Sequence, residues 1–299
     1  MDLGLLEDFL ELARVLNFSR AAELRHTTQP AFSRRIQALE AEVGTPLVRR
    51  TSRSVALTAA GHAFRPRAAA LLRLSTEARH AAREAAGASE LVLSLAATHA
   101  LSFTFVPRWL IQVGGPAALG TLNMVSDSQK GCERLMLQGE TSFFVCHRYP
   151  AAKGGLPEGQ FRYRTVGADL LVPVSAPDAV GGAVWTLNAG GGAPLLDYGS
   201  ASGLSRILAA HWAEHGRPEM TARMTSLLAA TNLEMAKAGQ GIAWLPLSLA
   251  EDDLAAGRLV RAGHGAFDVP VGIVIYRPRS RLSPHAEGFW ARTGGGSGV

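Results

Sequence analysis

The feature that most constrains the fold is the stretch TTQPAFSRRIQALEAEVGTPLVRR, residues 27–50, near the start of the chain. Its apolar residues recur at the spacing of one buried helix face, namely Phe32, Ile36, Leu39 and Val43. At about 100° per residue, a polar set falls on the opposite arc, namely Pro30, Ser33, Arg34 and Gln37. The stretch therefore predicts a helix that packs on a core with one face and meets a polar partner or water with the other.

The residues before this helix predict two more helices and a tight turn. A first helix is expected over residues 2–16, with Ser19 as the N-cap of a short second helix that ends at Leu24. Thr28 is the expected N-cap of the third helix, and Gly44 is its expected C-cap. Three helices at this spacing within about fifty residues are typical of a helix-turn-helix unit.

The segment TPLVRRTSRSVALT, residues 45–58, contains two short β-branched runs around a polar centre. This pattern predicts a two-stranded wing with Arg50, Arg53 and Ser54 at its tip. Winged helix-turn-helix units combine these two features.

A long helix is predicted from Thr58 to about Ala86, and Pro66 should kink it or mark a restart. Its apolar residues follow a near-heptad rhythm, namely Leu71, Leu74, Ala78, Ala81 and Ala85. At about 1.5 Å per residue the helix spans roughly 40 Å, which is too long to be buried by a small domain alone. We expect a linker that a second copy covers in a dimer, with a single amphipathic surface helix as the alternative. The segment GASE, residues 87–90, is the expected domain boundary.

Positive charge is concentrated in this part of the chain. The net charge is +5, and residues 14–67 contain ten arginines against three glutamates. A cluster of cationic side chains favours a polyanionic partner, and a solvated basic face is the plainer interpretation.

Length and composition limit the class of protein. A chain of 299 residues with 47% hydrophobic and 18% charged residues is expected to form two or more globular domains. We expect no membrane partner and a cytoplasmic location, because no apolar run could span a bilayer and no basic signal sequence begins the chain. Cys132 and Cys146 match neither a disulfide framework nor a zinc-finger spacing, so we interpret both as structural.

Beyond residue 90 apolar runs typical of strands alternate with helical segments, which predicts an α/β fold. The expected strands include ELVLSLAAT, TLNMVSDS, SFFVCH, ADLLVPVS, APLLDYGS, GIAWLP and VPVGIVIYRP. Helices are expected near residues 102–112, 130–137, 204–214 and 226–238, and in SPHAEGFWAR. The last residues, TGGGSGV, should form a flexible end.

Residues 18–61 resemble the winged helix-turn-helix of the LysR-type transcriptional regulators. The matching positions are Ala21, Ala22, Leu24, Gln29, Pro30, Ser33, Ile36, Leu39, Glu40, Gly44, Leu47, Arg50, Leu57, Thr58 and Gly61. One departure is Val48, where the family usually has Phe, and we expect it to affect packing more than contacts. The segments LLQGETSFFVCH and MAKAGQGIAWLP resemble later parts of the family, so the likeness extends over almost the whole chain.

This resemblance implies an all-α winged helix-turn-helix, residues 1–58, and a dimerising linker helix, residues 59–88. It also implies a periplasmic-binding-like α/β effector domain, residues 89–299, of two subdomains. Subdomain I is expected at about 89–164 and 268–293, and subdomain II at about 165–267. The implied partners are promoter or operator DNA, a small effector or oxidant, further copies of the chain in a dimer or tetramer, and RNA polymerase. Neither an enzyme activity nor a cofactor is implied.

A helix with a buried face and a short polar arc fits the major groove of DNA, where Gln and Arg can read base edges. The candidate residues on the third helix are Gln29, Pro30, Ser33, Arg34 and Gln37. Arg50 and Arg53 would hold the backbone or the minor groove from the wing. Arg35, at the flank of the buried face, is expected to contact a phosphate or to pair with Glu42.

Ligands of two-lobed α/β domains bind beyond the carboxyl ends of strands. The residues at such ends, with one on a later helix, are Thr98, His99, Ser126, Asp127, Ser128, Ser200, Ser202 and Asn232. Hydroxyl and amide groups beside helix N-termini suit a small anion or zwitterion. The same residue types also serve as ordinary caps and turns, so only their convergence would make a site.

Two segments, THALSFTFVPRWL and GIAWLP, are similar to the branch of the family that contains hypochlorite-responsive regulators. A sensor of that kind would use oxidation of methionine to the polar sulfoxide. The candidates are Met124, Met224 and Met235, although methionines that fill gaps in a core are the more common use of this residue.

Two alternatives belong to other classes of protein. The segment HWAEH, residues 211–215, matches the zinc-binding pattern H-x-x-E-H, but it is short and no third ligand accompanies it. We expect no metal site and no catalytic residues. The second alternative is a cytoplasmic two-lobed small-molecule binding protein without a DNA function, which the arginine cluster disfavours.

Overall fold

The computed structural model describes residues 2–50, 54–86, 92–115, 119–187 and 192–294. The chain divides into two compact units, residues 1–88 with 137–140 and residues 89–136 with 141–299. Within the described residues, no helix combines the length and the apolar character that crossing a membrane requires.

The N-terminal unit contains the predicted helices, the wing and the long helix. Its elements are α1 (Leu3–Val15), α2 (Phe18–Leu24), α3 (Gln29–Val43), β1 (Val48–Arg50), β2 (Val55–Leu57) and α4 (Ala59–Ala85). Asn17, not Ser19, caps α2, because its side chain accepts a hydrogen bond from the Arg20 amide at 3.0 Å. Thr28 occupies the N-cap position of α3 without a side-chain hydrogen bond, and Gly44 ends that helix at φ +80°.

The predicted stripe of α3 forms the centre of the core of this unit. Phe32, Ile36 and Leu39 are fully buried against apolar residues of α1 and α2. Glu40, on the same helix, accepts hydrogen bonds from the backbone amides of Leu47 and Val48 at 2.8 and 2.9 Å. A single carboxylate therefore fixes the start of the wing relative to α3.

The long helix α4 runs through Pro66 as one element, so the alternative of a restart at that residue is wrong. Leu71 and Leu74 are 43% and 49% exposed, and Ala78 is exposed beside them. The first part of the heptad pattern thus faces solvent in the single chain.

The C-terminal unit is an α/β fold. Its strands are β3 (Val92–Thr98), β4 (Thr121–Asp127), β5 (Phe143–Arg148), β6 (Phe161–Ser175), β7 (Ala193–Tyr198), β8 (Met220–Ser226), β9 (Ala243–Pro246), β10 (Val260–Arg261) and β11 (Val269–Pro278). Its α-helices are α5 (His99–Thr104), α6 (Val106–Val113), α7 (Gln129–Gln138), α8 (Gly203–His215), α9 (Ala229–Lys237), α10 (Leu247–Ala255) and α11 (Pro284–Arg292).

Two long antiparallel strands, β6 and β11, run through both lobes of this unit. At one end β11 pairs with β5, which continues to the parallel strands β3 and β4. At the other end β6 pairs with β9 and β10, while β7 and β8 form a separate parallel pair. The β6 and β11 pairing shifts register beside Ile273. Two hydrophobic cores meet there, since Val271 belongs to one and Ile273 to the other.

Most predicted strands of this unit are confirmed, and three differences have a physical cause. The helix expected over residues 102–112 is two helices that meet at Phe105, because Pro107 occupies the first turn of α6. Strand β6 begins at Phe161, well before the apolar run, because its polar first half pairs with β11. The helix expected from Ser226 begins at Ala229, since residues 220–226 form β8.

Candidate DNA-binding surface and effector cleft

The polar arc of α3 is open to solvent, as the sequence predicted for that helix. Gln29, Pro30, Arg34 and Gln37 are exposed, and Ser33 is half-buried. Within the described residues Arg34 makes no ion pair, so its guanidinium is available to an external acceptor. The exposed face combines amide and guanidinium donors, which are the groups that bind base edges and phosphates.

Arg50 is positioned by the helix-turn-helix unit itself. Its Nη2 donates to the Ser33 hydroxyl at 2.9 Å, and its guanidinium lies 3.3 Å from the ring centroid of Phe18. Burial lowers the pKa of the Arg50 guanidinium. The contact connects the wing to the polar arc of α3 and holds a cation beside it. Arg53 lies outside the described residues.

Arg35 pairs with Asp8 instead of the expected Glu42. Its Nε lies 2.6 Å from Asp8 Oδ2, while Arg25 Nε donates to Asp8 Oδ1 at 2.8 Å. Asp8 is fully buried on α1, so one carboxylate connects α1 to α3 and to the end of α2. Sequence spacing could not reveal this pair because the partners are far apart along the chain.

A cleft opens between the two lobes of the C-terminal unit, with a volume of about 410 Å³ that includes its mouth. Five of the predicted residues line it, namely Thr98, His99, Asp127, Ser128 and Ser202. They converge because β3 and β4 are parallel and place Thr98 opposite Asp127. Ser202 comes from the other lobe, where it caps α8.

Several of these polar groups already accept hydrogen bonds from backbone amides near helix N-termini. Ser128 Oγ accepts from the Gly131 amide at 3.2 Å, and Ser202 Oγ accepts from the Leu204 amide at 3.3 Å. Asp127 Oδ1 accepts from the Ser128 amide at 2.6 Å. The buried Thr98 hydroxyl, in contrast, has no hydrogen-bond partner among the described residues. Because a buried hydroxyl normally finds a partner, Thr98 is the strongest candidate for contact with a ligand.

The cleft also contains two polar residues that sequence reasoning missed. Gln129 donates from Nε2 to Glu133 at 3.0 Å and packs against Gly203 of the opposite lobe. His147 Nε2 lies 3.1 Å from Asp169 Oδ2, which also accepts from Ser248 at 2.6 Å. Burial opposes ionisation of Asp169, but these hydrogen bonds hold its pKa below the ordinary value. In the sequence, the position of His147 near the end of a strand is the one signal that could have identified it as a cleft residue.

The structure places the other predicted residues outside the cleft lining. Ser126 is exposed on β4, and its hydroxyl lies 3.0 Å from His99 Nδ1. Ser200 is exposed in the turn before α8. Asn232 is fully buried, where Nδ2 donates to the carbonyls of Leu196 and Asp197 at 3.1 and 3.2 Å. Asn232 therefore joins α9 to β7, because a buried amide must satisfy its donors and backbone acceptors lie close by.

The three candidate methionines lie on three different elements, and none of them lines the cleft. Met124 is 40% exposed on β4, whereas Met224 and Met235 are half-buried against the core of the second lobe. Both cysteines, Cys132 and Cys146, are buried, and burial raises the pKa of each thiol to about 12. Neither is a reactive thiolate at neutral pH.

The H-x-x-E-H segment lies on α8, and its side chains bind a tyrosine. Tyr149 donates to Glu214 at 2.8 Å, and His211 Nδ1 lies 3.2 Å from the same hydroxyl. Burial and the neighbouring His215 lower the pKa of His211. Across the described part of the chain, no group of three His, Cys, Asp or Glu side chains could hold a metal ion.

A winged helix-turn-helix unit with an open polar arc, followed by a two-lobed α/β unit with a polar cleft, defines a ligand-responsive DNA-binding protein. The family model for the bacterial regulatory helix-turn-helix protein, lysR family, matches residues 3–62. The model for the LysR substrate binding domain matches residues 86–294. The chain therefore belongs to the LysR family of DNA-binding transcriptional regulators with an effector-binding domain.

Individual relatives agree with this assignment. The chain is 29% identical over 285 residues to the HTH-type transcriptional regulator YjiE of Escherichia coli (strain K12), across 95% of this chain and 91% of the relative. Full-length HypT of Salmonella typhimurium, a hypochlorite-specific LysR-type regulator, aligns with a TM-score of 0.60, 27% identity and full coverage of both chains. Vibrio fischeri DarR, solved in complex with DNA, aligns with a TM-score of 0.57, 29% identity and 98% coverage of each chain. Nothing in these comparisons supports the alternative of a binding protein without a DNA function.

Proposed function

We propose that α3 reads operator DNA in the major groove through Gln29, Pro30, Ser33, Arg34 and Gln37. The observation that carries this proposal is the solvent-exposed polar arc opposite a fully buried apolar stripe. Arg50 would neutralise a backbone phosphate beside that groove, since Ser33 and Phe18 hold it at the edge of the arc. Arg53 is the proposed second contact from the wing.

Double-stranded DNA from the neighbourhood of the protein's own promoter tests this proposal. Because several arginines would displace counterions, affinity should fall about a thousandfold or more between 50 and 200 mM salt. Arg34→Ala should weaken binding by roughly tenfold without lowering the thermal midpoint, because the side chain is exposed. Arg223→Ala removes an exposed arginine from β8 and serves as the control. Equal affinities of the two variants would remove Arg34 from the interface, and no binding at low salt would overturn the proposal.

We further propose that the cleft binds a small anion or zwitterion at Thr98, His99, Asp127, Ser128 and Ser202. The Thr98 hydroxyl, which has no partner in the described part of the chain, and the N-terminus of α8 beneath Ser202 support this, because both can donate to carboxylate oxygens. Ser126, Ser200 and Asn232 are not part of the proposed contacts. A panel of small carboxylates and amino acids should contain a compound that raises the thermal midpoint. That rise should disappear in Thr98→Val, and a rise that persists would place the ligand elsewhere.

A regulator similar to HypT can use an oxidant in place of a stable ligand. Met124 is the proposed methionine for such chemistry, because it is exposed on the strand that leads to Asp127. Hypochlorite at equimolar dose should then change operator affinity, and methionine sulfoxide reductase should reverse the change. An identical response from Met124→Leu would contradict this role.

We also propose a cellular setting and a mode of assembly. The protein would act in the cytoplasm, without a catalytic activity, with residues 1–58 as the DNA-binding domain and residues 59–88 as the dimerising linker. RNA polymerase is the proposed partner in transcription control.

A further inference from the structure

A second cavity lies next to the effector cleft, on the far side of Gln129, His147 and Gly203, which line both spaces. Its volume is about 310 Å³, including the open mouth. We call it the basic pocket, and the side chains that define it are Arg148, Lys153, Arg206, Ile207 and Tyr276.

The charge of the basic pocket differs from that of the cleft. Three cations border it, and Arg148 and Lys153 have no acidic partner among the described residues. The guanidinium of Arg148 is held over the ring of Tyr163, 4.4 Å from its centroid. The described cleft lining, by comparison, contains no lysine or arginine and one carboxylate, that of Asp127.

Glu133 holds the third cation, Arg206, and one wall of the pocket in place. This buried carboxylate accepts at Oε1 from Arg206 at 2.6 Å, from Gln129 at 3.0 Å and from the Gly155 amide at 3.1 Å. It thereby fixes α8, α7 and the loop that contains Lys153 relative to one another. Arg206 uses Nη2 in this contact, and a guanidinium has five N–H donors, so further donors remain for another acceptor.

A neutral donor completes the pocket. Tyr276 lies beside Arg148, and burial raises the pKa of its hydroxyl to about 12, so the hydroxyl keeps its proton at neutral pH. The pocket therefore presents guanidinium, ammonium and phenol donors, and its described lining contains no carboxylate. The nearby Glu133 pairs with one of the three cations, Arg206.

We propose that the basic pocket binds a small doubly charged oxyanion, such as inorganic phosphate or sulfate. Three cations around a cavity of this size suit a compact dianion, because each oxygen can accept a charge-assisted hydrogen bond. The basic pocket adjoins the effector cleft and shares three lining residues with it, but its cations do not line the cleft.

Calorimetric titration of the full chain with sodium sulfate and with sodium phosphate tests this inference, with sodium chloride at matched ionic strength as the reference. We expect saturable binding of one dianion per chain and no comparable binding of chloride. Arg148→Gln and Lys153→Gln should each weaken binding about tenfold or more, because each removes a charge-assisted bond. Lys153 is exposed, so its variant keeps the test valid if Arg148→Gln fails to fold.

Two further variants test whether the dianion binds in the basic pocket or elsewhere on the protein. Arg223→Gln removes the same charge at an exposed position of β8 and should bind the dianion with unchanged affinity. Thr98→Val should also retain binding, because Thr98 lies in the cleft. Equal weakening in Arg223→Gln would mean that only net charge matters, and loss of binding in Thr98→Val alone would place the anion in the cleft. Either result, or the absence of saturation, would overturn the inference.

Discussion

At the residue scale, two carboxylates, the buried Asp8 and the half-buried Glu40, determine how the small N-terminal unit is assembled. Asp8 faces Arg25 and Arg35, and Glu40 accepts two backbone amides of the wing. Burying a carboxylate is costly unless donors surround it, so each of these acids fixes the elements that supply its donors. The orientation of the proposed recognition helix depends on such contacts as well as on its apolar stripe.

Asp8→Asn should destabilise the protein by about 2 kcal/mol, because two guanidinium groups lose a buried partner. The expected loss is smaller than that for a fully buried ion pair, since the side chains of Arg25 and Arg35 are 30% and 40% exposed and can be hydrated. Urea unfolding measures the difference. Glu11→Gln removes the partner of Arg14 on the same helix, where Arg14 is 51% exposed, and should cost less than about 1 kcal/mol. Similar losses in both variants would show that burial of Asp8 does not matter.

At the element scale, the wing and the start of α4 pack so closely that only glycine fits at one position. A Cβ atom on Gly61 would lie 2.1 Å from the carbonyl oxygen of Leu47, which is backbone and cannot turn away. The Thr58 hydroxyl also accepts from the Gly61 amide at 2.9 Å. The first turn of α4 is thus fitted against the chain that enters the wing.

Gly61→Ala should therefore cost about 1–3 kcal/mol, despite the higher helix propensity of alanine. It should also weaken DNA binding if the wing contributes to it. The matched control is Gly288→Ala in α11, where Arg292, at 3.7 Å, is the only described residue near the added Cβ. That variant should be neutral or more stable by up to about 1 kcal/mol. Thermal unfolding of the two variants measures the change in stability. An unchanged stability in Gly61→Ala would contradict the close packing.

At the scale of the whole molecule, α4 carries apolar surface that the single chain does not bury. Leu71, Leu74 and Ala78 lie three and four residues apart and are exposed. Ala81 and Ala85 continue the predicted heptad. Association of two such helices would remove this surface from water.

The double variant Leu71→Glu with Leu74→Glu should shift the protein from an oligomer toward a monomer, because charges would replace the apolar contacts of both partners. Light scattering coupled to size exclusion measures the mass. His62→Glu alters an exposed residue on the opposite side of the same helix and should leave the mass unchanged. An unaltered oligomer in the double variant would move the interface to another surface.

Local periodicity was sufficient to predict those features that depend on residues close together in the sequence. The spacing of Phe32, Ile36 and Leu39 predicted which face of α3 is buried, and Gly44 predicted where that helix ends. The strand ends at Thr98 and Asp127 were predicted in the same way, because parallel strands bring their carboxyl ends to one edge. The conformation of such residues depends mainly on neighbours a few positions away in the sequence.

Other features required partners that are distant along the chain. The polar first half of β6 is a strand only because β11 pairs with it, and Asn232 is buried only because β7 presents two carbonyls to it. The Asp8 pair and the cations of the basic pocket also arise from separate elements. The sequence by itself determined the class of protein through its resemblance to the family. It also determined the buried face of α3 and the general position of the cleft, because helix and strand periodicity are local. The tertiary structure alone decided which polar groups have a hydrogen-bond partner within the protein and which are left for a ligand. The reason is that a buried group can bond only to a donor or acceptor that the fold brings within about 3 Å.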